Sequence, residues 1–187
     1  MLKEPRAGTV KTRLGRDISM TSSAWWFRHQ SARLLRTLDD PRWDLRLCVT
    51  ELNSRVWPAH LSRDPQSRGD LGQRMRRAFE QTPPGPMIII GSDIPNISPR
   101  LIASAFDVLG HKDSVFGPAP DGGYWLIGLR RGPRPLPAKL FQNTRWSSEH
   151  ALSDTLNTLG DATIGYVDEM QDVDTLADLR KIQPPLR

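Results

Sequence analysis

MIIIGSDIP, Met87 to Pro95, sets three consecutive isoleucines before a glycine turn that carries one carboxylate. β-Branched residues without polar alternation predict a short strand buried on both faces, as in the centre of a parallel sheet. Pro83, Pro84 and Pro86 break the chain ahead of it, and Pro95 keeps a helix from following at once. In open α/β sheets ligands lie beyond the carboxyl ends of the strands, so Asp93 is a candidate site residue at the edge of a cleft. The competing reading makes Asp93 the cap of a helix starting near Ser98. It is the weaker one, because Ser98-Pro99 already supplies an N-cap and a first-turn proline.

Toward the N-terminus, QSRGDLGQRMRRAF (Gln66 to Phe79) has a helical face in Leu71, Met75, Ala78 and Phe79, entered through Gly69, Asp70 and Gly72. A glycine-flanked helix start lets a flat group such as a base approach the backbone; an ordinary amphipathic helix with a glycine entry explains the same residues equally well. Leu45 to Thr50 alternates as a strand. From about Ser19 to Leu38 the positions Ala24, Phe27, Ser31, Leu34, Leu35 and Leu38 recur at helical spacing, and the adjacent Trp25 and Trp26 cannot both face that stripe. The opening MLKEPRAGTVKTRL is a cationic loop, with Lys3, Arg6, Lys11 and Arg13 around Pro5 and Gly8. A glycine turn entering a helix beside such cations suits phosphate, although a disordered basic terminus would read the same way.

Toward the C-terminus, Leu101 to Leu109 is helical by pattern and Ser114 to Pro118 reads as a strand. Pro118-Ala119-Pro120-Asp121-Gly122-Gly123 forms a tight turn into the strand Tyr124 to Leu129. Two glycines after Asp121 leave one face of the backbone open to a ligand, or simply close a hairpin. Trp146-Ser147-Ser148-Glu149 announces a helix, Ala162 to Val167 a late strand, and Asp172-Val173-Asp174-Thr175 a last helix through Leu176, Leu179 and Ile182. Asp172 and Asp174 are candidate N-caps as much as candidate metal ligands. Strand and helix alternate, which defines an α/β class with a mostly parallel central sheet flanked by helices, in one domain over residues 1–187.

The 187 residues are 37% hydrophobic, and the formal charge is +5. A pI near 9.9 and a mean hydropathy of −0.49 point to a modest core and a polyanionic partner: nucleic acid, an acidic membrane surface or the phosphates of a nucleotide. Arg130, Arg131 and Arg134 are the tightest group of cations. Cys48 is the single cysteine and sits in the apolar alternation of Leu45, Leu47 and Val49, which predicts a buried thiol in a reducing compartment. No apolar run is long enough to span a bilayer and no signal peptide is visible, so a cytoplasmic protein is expected. Walker A, GxGxxG, GxSxG and HExxH motifs are absent, and His29, His60, His111 and His150 are dispersed, which sets aside serine and zinc hydrolases.

Six stretches in order resemble the GT-A-type nucleotide-diphospho-sugar transferase superfamily, and within it the bacterial glycosyltransferase-like family associated with radical-SAM and selenodomain proteins. They are KEPRAGTVKTRL (Lys3 to Leu14), GDLGQRM (Gly69 to Met75), IGSDIP (Ile90 to Pro95), GPAPDGGYWLIGL (Gly117 to Leu129), RWSS (Arg145 to Ser148) and DVDTLADL (Asp172 to Leu179). The resemblance implies a single-domain Rossmann-like GT-A fold and a transferase with a nucleotide-sugar donor and a small-molecule acceptor. It also implies that Asp93 and Asp174 hold Mg²⁺ or Mn²⁺, that Lys3, Gly8, Lys11 and Arg13 bind phosphate, and that Gly69, Asp70 and Gly72 lie near the base. The segment Asp121 to Tyr124, with Gly122 and Gly123, falls on the acceptor side of the cleft, where Asp121 could orient or deprotonate a hydroxyl. Lys11, Arg13, Asp93 and Asp121 are thereby the candidate catalytic residues.

Two other functions remain open on the sequence. A nucleotidyltransferase would join a nucleoside triphosphate to a phosphorylated or hydroxylated acceptor and release pyrophosphate. A truncated, non-catalytic nucleotide- or nucleic-acid-binding protein would use the basic charge alone, but no nucleic-acid module is visible. Relatives in this family start with a full hydrophobic strand, whereas only Met1 and Leu2 precede Lys3 here. The first strand is therefore expected to be largely missing, through an initiation codon set too far downstream or a true truncation.

Overall fold

In a computed structural model that describes residues 1–132 and 135–182, helices and strands alternate along the chain. They are α1 (Thr12–Ile18), α2 (Met20–Leu38), β1 (Leu47–Val49), β2 (Arg63–Pro65), α3 (Leu71–Gln81), β3 (Met87–Ile90), α4 (Pro99–Leu109), β4 (Ser114–Pro118), β5 (Tyr124–Leu129), α5 (Ala151–Asn157), β6 (Ile164–Tyr166) and α6 (Leu176–Ile182). Arg134 lies outside the described residues. The chain divides into two units, one comprising Met1–Pro65, Ser92–Pro99 and the chain from Gln171, the other Gln66–Gly91 and Arg100–Met170.

In the first unit β1 and β2 pair in parallel, with Leu47 opposite Arg63 and Val49 opposite Pro65. Leu2 bridges to Val49 in the parallel sense and donates its N–H to the Cys48 carbonyl at 2.8 Å. The period of two along β1 buries Leu47 and Val49 and turns Cys48 to the other face, where it is half-buried and not in the core. The stripe of α2 that holds Ala24, Phe27 and Leu35 packs with Leu2, Val10, Leu47, Val49, Trp57 and Leu61. Trp26 packs against the same cluster and Trp25 is 64% exposed, so the two rings point apart as adjacent helical positions must. The loop between the strands is fastened by Arg63, whose guanidinium donates to the carbonyls of Leu52, Ser54 and Trp57.

The second unit contains a four-stranded sheet in the order β3-β5-β4-β6. β5 runs antiparallel to both β3 and β4, and only the β4–β6 pair is parallel, so the expected mostly parallel sheet is corrected to a mixed one. The reason is the length of the connection. Five residues join β4 to β5, enough for a hairpin and far short of the dozen or so that a parallel crossover needs. The isoleucine strand is accordingly the terminal strand of this sheet and pairs antiparallel with β5; Ile89 is buried, while Met87, Ile88 and Ile90 are half-buried. The core of the unit lies on β4 and β5, where Val115, Phe116, Leu126 and Ile127 are at most 1% exposed, together with the buried Ile102, Ala105 and Leu109 of α4.

Candidate functional site

Asp172 and Asp174 flank Val173, which is 1% exposed and packs with Leu14 and Leu179. Burying the apolar residue of this triplet leaves its two carboxylates to reach the same partner, Lys11. Neither is needed to cap α6, because Thr175 and Asp178 do so reciprocally. The Asp178 carboxylate accepts from the Thr175 N–H at 2.9 Å, and the Thr175 hydroxyl accepts from the Asp178 N–H at 3.3 Å. Asp93 stands in a segment anchored by the buried Ile94 and Ile97, and its carbonyl accepts from the Val173 N–H at 3.4 Å. The Gln30 amide holds the Ile94 carbonyl from α2 at 3.3 Å.

Lys11 lies between the buried Val10 and Leu14 and adopts φ +45°, a left-handed conformation unusual for a residue with a side chain. Its side chain is 6% exposed, and the Nζ stands 2.5 Å from Asp93 Oδ2, 2.6 Å from Asp174 Oδ1 and 3.4 Å from Asp172 Oδ2. Arg13, largely exposed, reaches the other oxygen of Asp174 at 3.3 Å. One carboxylate oxygen from each of the three aspartates lies within 4.8 Å of the others.

Burial works against the Lys11 charge, but the Asp93 carboxylate and the hydrogen bond to Asp174 outweigh it and hold the ammonium above its ordinary range. Asp172, farthest from the ammonium, fares differently. Burial, then the neighbouring Asp174 and Asp93 charges, push its pKa up to about 6 against the pull of Lys11. An acid with a higher pKa folded than unfolded loses stability as pH rises from about 4 to about 6, because the native state binds the proton that the unfolded chain has released. Asp172→Asn is therefore expected to flatten that slope and to raise the melting temperature of the metal-free protein at pH 7.5. Discounted for partial exposure, the gain is about 1 kcal/mol, or roughly 2–4 °C for a chain of this size. Thermal unfolding between pH 4 and pH 8 measures it.

Of the residues expected at the site, the structure brings together Lys11, Arg13, Asp93 and Asp174, and adds Asp172. Lys3 is exposed. Gly8 has φ +77° in a turn closed by the Thr9 N–H on the Arg6 carbonyl at 3.1 Å.

The remaining expected residues belong to the second unit. Asp70 is the N-cap of α3 in a capping box with Gln73, and Gly69, at φ +114°, leads into it. A Cβ on Gly72 would stand 2.6 Å from Phe141 Cβ and 2.8 Å from the Trp146 ring, so this glycine lets α3 pack closely on those aromatics. Asp121 is exposed, and its Oδ1 accepts from the Gly123 N–H at 2.9 Å. Gly122, at φ +81°, lies against the Glu149 backbone. The D-x-D spacing around a buried valine was the signal for Asp172, but it reads equally as helix capping until Thr175 is seen in that role.

The fold of the chain has a counterpart among solved structures. The chain is 29% identical to a protein of Desulfovibrio desulfuricans G20 provisionally named a nucleotide-diphospho-sugar transferase; the match has a TM-score of 0.80 and covers 95% of this chain and 81% of that one. That likeness places the chain in the GT-A-like nucleotide-diphospho-sugar transferase superfamily. Residues 34–148 match the family described as "Uncharacterized protein conserved in bacteria (DUF2064)", and the chain belongs to that family. No curated protein matches it. Among the described residues, no helix is long and apolar enough to cross a membrane.

Proposed function

We propose that the protein is a metal-dependent transferase that uses a nucleotide-sugar donor and a small-molecule acceptor. The observation that carries the reading is the meeting of Asp93, Asp172 and Asp174 around the Lys11 ammonium. The donor set fits the group: three hard carboxylate oxygens already surround a cation, and Mg²⁺ or Mn²⁺ favours such oxygens together with those of a phosphate. A bound ion would neutralise charge on the departing diphosphate. Lys11 and Arg13 supply the remaining positive charge toward the phosphates, and the buried Val10, Leu14 and Val173 fix the backbone from which these groups project.

A panel of nucleoside diphosphate sugars and nucleoside triphosphates, each with and without Mg²⁺ or Mn²⁺, tests the reading by thermal shift. Metal-dependent stabilisation by one or more diphosphate sugars is the expected result. Selective stabilisation by triphosphates would replace it with nucleotidyl transfer, and ligand binding indifferent to metal would remove the metal from the reaction.

A further inference from the structure

Lys11 does more in this cluster than await a phosphate. Its ammonium stands 2.5 and 2.6 Å from the Asp93 and Asp174 oxygens, within the space that a divalent ion bound to the same atoms would need. Lys11 and Arg13 also leave the three carboxylates one positive charge short, and a divalent ion in place of Lys11 closes that deficit. The lysine is held in place by its surroundings: it is 6% exposed, flanked by the buried Val10 and Leu14, and keeps a left-handed backbone conformation. Conformations of this kind persist where the surrounding structure holds them, and they cluster at switch and ligand-clamping positions.

We infer that Lys11 is the resident counter-cation of the metal site: it holds the three aspartates until a divalent ion displaces it, and then pairs with the diphosphate. This rests on the metal-dependent reading above and deepens it. Two consequences follow from the geometry. Free metal must compete with an internal cation, so the ion alone binds weakly. Diphosphate, which draws Lys11 away from the aspartates, makes room for the ion, and by linkage the ion strengthens the diphosphate by the same factor.

The test is made on the full chain by two routes. In the wild type, reductive methylation followed by mass spectrometry is expected to leave Lys11 unmodified without metal. Saturating Mg²⁺ should make it reactive, and Mg²⁺ with inorganic pyrophosphate should protect it again. In Lys11→Gln, Mn²⁺ binding followed by electron paramagnetic resonance is expected to be at least about tenfold tighter than in the wild type, because the competitor is gone. The methylation experiment does not depend on whether the variant folds. Lys11 that stays protected at saturating Mg²⁺, or a folded Lys11→Gln that binds Mn²⁺ no more tightly, overturns the displacement while leaving the metal site standing. Lys11 that Mg²⁺ exposes and pyrophosphate fails to protect overturns the pairing with diphosphate. If neither protein binds Mn²⁺ with or without pyrophosphate, the metal-dependent reading falls and this inference with it.

Discussion

Asp93→Asn is expected to lower Mn²⁺ affinity by at least about 100-fold, since loss of even a supporting partner outside the coordination shell costs roughly 10–100-fold. It should also abolish the metal-dependent part of any thermal shift given by a diphosphate ligand. The same substitution acts on the metal-free protein with the opposite sign from Asp172→Asn. Asp93 is the shortest partner of a nearly buried ammonium, at 2.5 Å, and its charge is the largest favourable influence on Lys11. Neutralising it leaves the ammonium with one close carboxylate, Asp174, and a more distant one, Asp172. Breaking a buried ion pair from one side costs about 3–5 kcal/mol, and the surviving partners reduce that to about 1–3 kcal/mol here. Asp172, by contrast, is the carboxylate whose charge the cluster resists. Two isosteric changes 79 positions apart in the sequence thus separate two roles: both weaken metal binding, while one destabilises the metal-free fold and the other stabilises it. Mn²⁺ titration and thermal unfolding of the two variants at pH 7.5 decide the matter. Equal melting temperatures would mean that Lys11 does not discriminate between the two aspartates.

What could be read without coordinates follows from which signals are local. The helices α2, α3 and α4 carry their periodicity on their own surface, and each spans nearly the stretch its pattern indicates. β2 escapes such a reading because Arg63-Asp64-Pro65 has no strand propensity. It is a strand through its pairing with β1 and a fork of two 2.9 Å hydrogen bonds from Arg46 to Asp64. Strand direction also escaped, since three isoleucines say that a strand is apolar and nothing about which way its neighbour runs. The five-residue connection after β4 held that information. At the site, Lys11, Arg13, Asp93 and Asp174 were legible as residue types in motifs. That the Lys11 ammonium sits among the aspartates, nearer to them than a mere phosphate ligand need be, depends on a left-handed residue and on buried neighbours that no local pattern announces. Asp70 stands in a stretch that the sequence left with two readings, and its side chain caps α3.

Gly122→Ala is expected to destabilise the protein by about 3–5 kcal/mol, near the top of the range for single substitutions. A Cβ at this position would lie 2.1 Å from the Glu149 carbonyl oxygen and 2.5 Å from its carbonyl carbon and Cα. These are backbone atoms, so no rotamer change can relieve the contact. The Gly122 carbonyl accepts from the Leu152 N–H at 3.0 Å in the first turn of α5, and its N–H donates to Ala119 at 3.1 Å; moving either strand of the contact breaks one of these bonds. The φ of +81° adds a strain of roughly 1–2 kcal/mol for any residue with a Cβ. Gly123 supplies the control. A Cβ there meets only the end of the Asp121 side chain, at 3.0 Å, which can turn aside, so Gly123→Ala should cost less than about 1 kcal/mol. If the pair of glycines served only to let a ligand near the backbone, both substitutions would weaken ligand binding and leave stability alone. If Gly122 is there to seat the turn on the Glu149 backbone, urea unfolding will show a large loss for Gly122→Ala and almost none for its neighbour, whatever either does to the ligand. Equal unfolding midpoints for the two variants would refute the packing role.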